Sequence, residues 1–176
     1  AEQKGYKNIC EIGKERIRRA GTKILEENKD KEGIENLDIG FRVFKVDSSN
    51  MKDVYYNPDE IRQDNLFDMV SNIKDDRTDL DLLFQVLLDS GVELTLPIEE
   101  KVIQGKKVFN VGFGSLFICL GDNLTNKIAE GIGKWKEELS PEICRVIFKD
   151  TGFTDVEKTN SVQTLKRFGI TEVRSI

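Results

Sequence analysis

The sequence predicts an α/β fold, in which a mixed sheet is flanked by helices and is preceded by one linked N-terminal helix. Two observations predict it. In the C-terminal half of the chain, short runs rich in β-branched and aromatic residues alternate with helical patterns of apolar residues. One of these runs, ICRVIF at 143–148, is almost continuously apolar, which is typical of a strand that is buried on both faces.

The first predicted element is a helix over residues 7–25. At about 100° per residue, its isoleucines share one side and form a candidate assembly stripe, which consists of Ile9, Ile12, Ile17 and Ile24. The same helix carries basic residues that are candidates for contact with DNA or with a protein partner: Arg16, Arg18, Arg19 and Lys23.

These basic residues have two interpretations. Glu15 lies three and four residues before Arg18 and Arg19, a spacing that favours ion pairs along a helix surface. An arm that grips single-stranded nucleic acid would instead combine unpaired cations with aromatic residues. We favour a charged helix face, and the nucleic-acid arm stays open as the alternative.

A highly charged segment, EENKDKEGIEN at 26–36, follows the first helix. Seven of its eleven residues are charged, which predicts a linker or an exposed loop. The predicted organisation is therefore a helix at 1–25, a charged linker at 26–36 and a C-terminal α/β domain at 37–176.

The C-terminal domain begins with a predicted strand and two predicted helices. DIGFRVFKVD at 38–47 is rich in Phe and Val, as strands are. Asn57 can cap a helix that begins at Pro58. A second helix over 79–89 ends before Gly91, which suits the left-handed conformation common after a helix.

The next elements predict the centre of the sheet. Gln104-Gly105 lies between two strand-like runs and predicts a β-hairpin. SLFICL at 115–120 predicts a further strand. The helix that follows, over 124–139, has apolar residues at steps of four, four, three and four.

Three elements complete the predicted fold. The strand at 143–148 is followed by a short helix, in which Asn160 and Gln163 form a capping-box pattern and Gly169 marks the end. TEVRSI at 171–176 predicts the last strand. The predicted order is therefore β-α-α-β-β-β-α-β-α-β after the first helix.

Charge and composition exclude several classes of function. The net charge is −5, but residues 1–25 carry +4 and the remainder −9, which disfavours a body that holds a polyanion by itself. The chain has no His, which excludes His-based metal sites, nucleophiles and general bases. Its three Cys lie far apart without a C-x-x-C pair, so neither a disulfide framework nor a zinc site is indicated.

Membrane and targeting signals are not evident either. No stretch approaches the roughly 20 apolar residues of a membrane span. No charged-then-apolar leader precedes the first helix. We therefore expect a cytoplasmic protein with no membrane partner.

Two motifs invite a functional interpretation. VGFGS at 111–115 has the glycines of a phosphate loop, but a strand-like run follows where such a loop needs a helix, so a hairpin turn or bulge is favoured. Asp150 and Asp155 follow a buried strand, where ligands often bind α/β sheets, although a polar turn explains them better. We predict no catalytic, cofactor-binding or metal-binding residues in this chain.

Four stretches of the chain, in order, are similar to one known family. They are GYKNICEIGKERIRRAG, LDIGFRVFKVDSSNMKDVYYNPDE, DDRTDLDLLFQVLLDSGVELTLPIEEKVIQGKKVF and VIFKDTGFTDVEKTNSVQTLKRFGITEVRSI. They resemble the C-terminal part of the methylation (Mod) subunit of type III restriction–modification systems. That subunit is a site-specific adenine DNA methyltransferase.

The resemblance implies an intact enzyme that transfers a methyl group from S-adenosylmethionine to the N6 atom of adenine. The family holds the base with Asp-Pro-Pro-Tyr and the cofactor with Phe-x-Gly-x-Gly, and neither motif occurs in this chain. We therefore expect no S-adenosylmethionine site here and no activity from the chain alone.

The resemblance also implies partners. The chain would correspond to the last helix of the methyltransferase core together with a C-terminal domain. In this family that domain is expected to serve dimerisation with a second Mod subunit and assembly with the restriction (Res) subunit, an ATP-driven helicase–nuclease. DNA would be bound by the intact enzyme.

Two alternatives stay open. A free-standing protein-interaction domain with no link to methylation could share the fold alone. A small hydrolase that uses the carboxylates of Asp150 and Asp155 is less favoured. In every case we expect the isoleucine stripe to be covered, by residues 37–176 or by a second copy, because burying a large apolar side chain contributes about 1.5–3 kcal/mol.

Overall fold

The computed structural model describes residues 5–52 and 73–176 of the chain. By its internal contacts the chain divides into two compact units, Ala1–Asp47 and Ser48–Ile176. The described residues contain four helices and a mixed five-stranded sheet, which confirms the predicted fold class. The helix predicted to start at Asn57 lies outside the described residues.

The first unit contains one long helix, α1, over Ile9–Glu27. Asn8 caps it, because the Oδ1 atom of Asn8 accepts a hydrogen bond of 3.0 Å from the backbone N–H of Glu11. A short 3-10 turn at Ile34–Asn36 follows, within the segment predicted as a linker. The helix therefore forms where the apolar periodicity predicts it and ends two residues later.

Residues 37–47 form no strand in the structure, and two of them, Ile39 and Phe41, contact α1. The strand predicted over 38–47 was wrong, since no described strand pairs with this segment. Ile39 instead packs onto the buried Gly21 of α1, where an added Cβ would lie 3.1 Å from the Cβ of Ile39. Alternating aromatic and β-branched residues favour an extended backbone but do not supply a partner strand. The first compact unit of the structure extends to Asp47.

The second unit is built on a sheet with the strand order β1-β2-β3-β4-β5. The pairs β1–β2 and β2–β3 are antiparallel, whereas β3–β4 and β4–β5 are parallel. The strands occupy Ile98–Ile103, Lys106–Val111, Leu116–Cys119, Arg145–Phe148 and Glu172–Ser175. Both β1 and β5 are therefore edge strands among the described residues.

The hairpin between β1 and β2 closes where the sequence predicts. Gln104 and Gly105 have φ angles of +50° and +74°, the signs that a type I′ turn requires at both central positions. Ile103 pairs with Lys106 on either side of the turn. This turn sets the register of the antiparallel half of the sheet.

Three helices cover the sheet: α2 over Asp79–Asp89, α3 over Asn126–Leu139 and α4 over Asp155–Arg167. One core, which includes Phe117 of β3 and Trp135 of α3, joins α3 and α4 to one face. A second core, which includes Ile118 of β3 and Leu83 of α2, joins α2 to the opposite face. Burial on both faces explains the continuous apolar run in β4.

The start of α4 differs from the prediction. Thr154, rather than Asn160, is the N-cap, and its Oγ1 accepts from the backbone N–H of Glu157 at 3.4 Å. Thr154-x-x-Glu157 is itself a capping pattern and precedes the one at Asn160. The helix therefore begins at the earlier cap and is longer than predicted. The end of the helix was predicted correctly, because Gly169 follows it with a φ of +75°.

Candidate functional site

Most basic residues of α1 are paired with glutamates on the same helix. Glu15 lies 2.7 Å from Arg19 and 3.8 Å from Arg18, and Lys23 lies 3.5 Å from Glu27. The hydrogen bond to Glu15 is also the main reason that the pKa of Arg19 is raised. These contacts are the exposed ion pairs of a charged helix face, which contribute little individually to stability.

Arg16 and two aromatic neighbours complete this face. Arg16 is exposed and makes no ion pair with any residue that the structure describes. The guanidinium of Arg18 lies 5.7 Å from the ring centroid of Phe41, and Arg19 lies 3.4 Å from the hydroxyl of Tyr6. No local pattern predicted the role of Phe41, because its contact with Arg18 depends on the path of the segment after the helix.

The isoleucine stripe of α1 is largely exposed within the first unit. The exposed fraction is 78% for Ile9, 49% for Ile17 and 46% for Ile24, while Ile12 is partly buried. The packing of residues 37–47 buries the helix at Gly21. The stripe therefore presents apolar surface that a partner can bury.

The first unit concentrates exposed apolar side chains more generally. Of the fifteen large exposed hydrophobic residues in the described part of the chain, nine lie in this unit. Besides the three isoleucines they are Leu37, Ile39, Phe41, Val43, Phe44 and Val46. Because large exposed apolar areas mark interaction sites in soluble proteins, the unit that holds most of these side chains is the candidate functional site, an interaction surface.

A second polar group lies at the carboxyl ends of the parallel strands β4 and β5. Lys158 donates hydrogen bonds to Asp150 and, at 3.2 Å, to the hydroxyl of Ser175. The bond from Lys158 holds the pKa of Asp150 below its usual range. Asp155 begins α4. A lysine, rather than a second carboxylate, is thus the partner of Asp150, so the geometry is that of a structural ion pair.

A cavity of about 60 Å³ lies beside this ion pair. Its walls are largely apolar and include Phe148, Phe153 and Val173. Ser161 is buried there, and its hydroxyl has no hydrogen-bond partner among the described residues. The cavity has room for a few water molecules and is too small for a drug-sized ligand.

The glycine-rich stretch VGFGS forms the turn between β2 and β3. Gly112, Phe113 and Gly114 have φ angles of +65°, +57° and +94°. The buried Asn110 holds this turn, since its Oδ1 accepts from the N–H of Gly114 at 2.6 Å and its Nδ2 donates to Glu99 at 2.9 Å. A strand follows the turn, which confirms the hairpin interpretation.

The described residues hold no cluster of metal-ligating side chains. The turn at 112–114 leads into a strand, whereas a phosphate-binding loop leads into the N-terminus of a helix. Burial raises the pKa of Cys119 and Cys144 to about 11, so both thiols stay protonated at neutral pH. None of the helices in the described ranges has the length and apolar character to cross a membrane.

No family model matches the chain, and no curated protein matches it.

Proposed function

We propose that this chain is the C-terminal part of a type III restriction–modification adenine DNA methyltransferase, that it is inactive alone, and that it serves assembly. The intact subunit methylates the N6 atom of adenine with S-adenosylmethionine, in the cytoplasm, and assembles with a second Mod subunit and the Res subunit. The single observation that carries the proposal is the similarity of four stretches, in the family's order, over nearly the whole chain.

The exposed surface of the first unit supports a role in assembly. Apolar side chains of α1 and of the segment after it remain exposed, among them Ile9, Ile17 and Val46. Each large side chain that a partner buries contributes about 1.5–3 kcal/mol. In the intact subunit the methyltransferase core, which α1 would belong to, is the proposed cover for the isoleucine stripe.

The DNA sequence upstream of the codon for Ala1 tests the proposal most directly. An open reading frame that encodes Asp-Pro-Pro-Tyr and Phe-x-Gly-x-Gly supports a methyltransferase. A start codon immediately before Ala1 would overturn the methylation proposal and favour a free-standing protein-interaction domain.

A variant of the intact subunit tests the proposed cover of α1. Ile17→Asp is expected to lower the melting temperature and the rate of methyl transfer, because a carboxylate would be buried against the core. Leu88→Asp is the matched control, since Leu88 on α2 is 64% exposed. Equal behaviour of the two variants would remove the argument that α1 packs on the methyltransferase core.

A further inference from the structure

The outer side of strand β5 is unpaired among the described residues. Ile176 bonds to β4 with both backbone groups, through the carbonyl of Phe148 at 3.0 Å and the N–H of Asp150 at 2.8 Å. In a regular parallel ladder the even-numbered residues of β5 therefore face β4. Val173 and Ser175 alternate with them and direct their backbone N–H and C=O groups outward. Such a row of backbone groups is a template for another strand.

The side chains along β5 are acidic, apolar and basic in turn. Glu172 and Arg174 project from one face of the sheet, where Glu172 accepts hydrogen bonds from Arg145 at 2.7 Å and from Arg174 at 2.8 Å. Val173 projects from the other face, where it packs against the core of α3 and α4. Opposite charges two residues apart make this strand complementary to itself in antiparallel orientation.

We propose that the edge of β5 is a homodimer interface, at which a second copy of this chain adds its own β5 antiparallel about a twofold axis. An axis through Val173 places Val173 opposite Val173 of the partner subunit. It also places Glu172 opposite Arg174 of the partner subunit, and Arg174 opposite Glu172 of the partner subunit. The interface is isologous, as in most homodimers, and joins the two sheets into one.

Charge and hydrogen bonding select this register. An axis through Arg174 would oppose two arginines, and an axis through Glu172 would oppose two glutamates, and like charges directly opposite destabilise a strand pair. An axis between Val173 and Arg174 would set outward backbone groups against inward ones, so the ladder could not form. The register centred on Val173 combines two cross-strand ion pairs with the hydrogen bonds of the ladder.

The same pattern favours a second copy over an unrelated apolar strand. A strand without matching charges would leave Glu172 and Arg174 without opposite partners across the new pair. Charged residues on an edge strand are known to discourage such indiscriminate pairing. The inference deepens the proposed function, because it gives a surface for the expected dimer, but its evidence is the sheet edge; a dimer formed through another surface would overturn the inference and leave the proposed function intact.

A charge exchange in the whole chain tests the interface. The chain is expected to dimerise in sedimentation velocity over a concentration series. Glu172→Arg and Arg174→Glu are each expected to raise the dimer Kd by about tenfold or more, because each places like charges opposite one another. An equimolar mixture of the two variants is expected to restore dimers, since the introduced arginines then face the glutamates of the other variant.

Three further variants complete the test. The double variant E172R/R174E restores opposite charges across the interface, so it is expected to dimerise more tightly than either single variant, although it loses the contact between Glu172 and Arg145. Val173→Pro removes an outward N–H that β4 does not use, so it is expected to abolish the dimer while circular dichroism stays unchanged. Glu93→Arg, an exposed change of the same charge before the opposite edge strand, is the matched control.

Two results would overturn the proposal. One is a chain that stays monomeric across the whole concentration series. The other is a dimer whose Kd is the same in both single variants and in the mixture, which would place self-association on another surface, such as that of the first unit.

Discussion

Gly133 lets the end of α4 pack directly on α3. A Cβ at this position would lie 2.2 Å from the ring of Phe168, the residue that follows the last turn of α4. The ring packs against the main core, so it cannot swing into solvent without exposing apolar surface. A single hydrogen atom in place of a methyl group therefore determines how closely these two helices approach.

Gly133→Ala is expected to lower the free energy of unfolding by about 1–3 kcal/mol, because overpacking outweighs the better helix propensity of Ala. Urea denaturation followed by circular dichroism measures the change. Gly13→Ala in α1 is the control, since nothing lies within 4 Å of an added Cβ there, and it is expected to be neutral or stabilising. Equal losses in both variants would contradict the packing argument.

Asn110 is a residue whose role the sequence did not reveal. It is 1% exposed within a strand. Its side chain accepts a hydrogen bond from the N–H of Gly114 in the loop and donates one to the carboxylate of Glu99 on the neighbouring strand. Its position between Phe109 and Val111 is the signal, since a buried amide needs hydrogen-bond partners. Those partners, Glu99 and Gly114, become evident only when the hairpin is folded.

At the scale of elements, a capping box between Thr78 and Asp81 caps the N-terminus of α2. Asp81 accepts hydrogen bonds from the hydroxyl of Thr78 at 2.7 Å and from its backbone N–H at 2.8 Å. The side-chain bond from Thr78 is the largest cause of the lowered pKa of Asp81. Because the pKa is lower in the folded state, the carboxylate stabilises the fold above its unfolded pKa, about 3.9. That contribution is lost as the pH falls through the folded value.

Asp81→Ala is expected to cost about 0.5 kcal/mol at pH 7, the low end of the range for caps, because the box is exposed to solvent. It is also expected to flatten the loss of stability below about pH 4. Urea denaturation over a pH series measures both effects. Asp89→Ala, at the other end of the helix, should be neutral or slightly stabilising at pH 7 because it removes a negative charge from the C-terminus. A variant as acid-sensitive as the original chain would refute the capping argument.

The isoleucine stripe of α1 is expected to be buried by some other surface, because exposed apolar side chains are unfavourable in water. We expect the amides of α1 to be protected in hydrogen exchange, through contact with residues 37–176 or with a second copy. The packing of Ile39 on Gly21 already covers one turn. Exchange followed by mass spectrometry at two protein concentrations distinguishes the two covers, since only self-association depends on concentration. A monomer whose residues 7–25 exchange freely would contradict the expectation.

Elements whose evidence is local were predicted well. The hairpin at Gln104-Gly105, α2 and α3 depend on turn chemistry and on periodicity within a few residues. The strand predicted over 38–47 was wrong for the opposite reason, because a strand exists only when another strand pairs with it. The start of α4 was misplaced because two capping patterns compete within six residues, at Thr154 and Asn160.

For the whole molecule, the pairing of basic residues with glutamates indicates which side chains of α1 are available to contact DNA. Three of the four candidate cations have glutamate partners, and Arg16 has none among the described residues. A cation already paired with a carboxylate must give up that contact to meet a phosphate. Arg16 is therefore the residue whose contribution to DNA binding should be largest, if α1 contacts DNA in the intact enzyme.

In the proposed intact enzyme, Arg16→Ala is expected to reduce the slope of log K against log salt concentration by about one, as for one lost phosphate contact. Arg19→Ala is the matched control and is expected to change the slope less, because Glu15 already neutralises that guanidinium. Fluorescence anisotropy with labelled duplex DNA over a salt series measures both slopes. Unchanged slopes for both variants, and for Arg18→Ala and Lys23→Ala, would leave these cations as surface ion pairs.

The candidate interaction surface was partly predictable. The isoleucine stripe and the basic residues follow from helical periodicity, and the structure places all of them on α1. The exposed residues of 37–47 were assigned instead to the sheet, because their pattern is equally suited to a strand and to an extended segment on a helix. A single sequence does not distinguish these outcomes, since the difference lies in contacts with residues far along the chain.

By itself, the sequence determined the alternation of strands and helices, the type I′ turn and the apolar faces of the helices. These features depend on residues a few positions apart and on which side of an element must avoid water. Only the tertiary structure decided that Ile39 and Phe41 contact α1, that β3, β4 and β5 run parallel, and that β5 lies at the edge of the described sheet. Strand order and edge position are set by pairing between segments distant in the chain, and local residue patterns do not encode which distant segment becomes the partner.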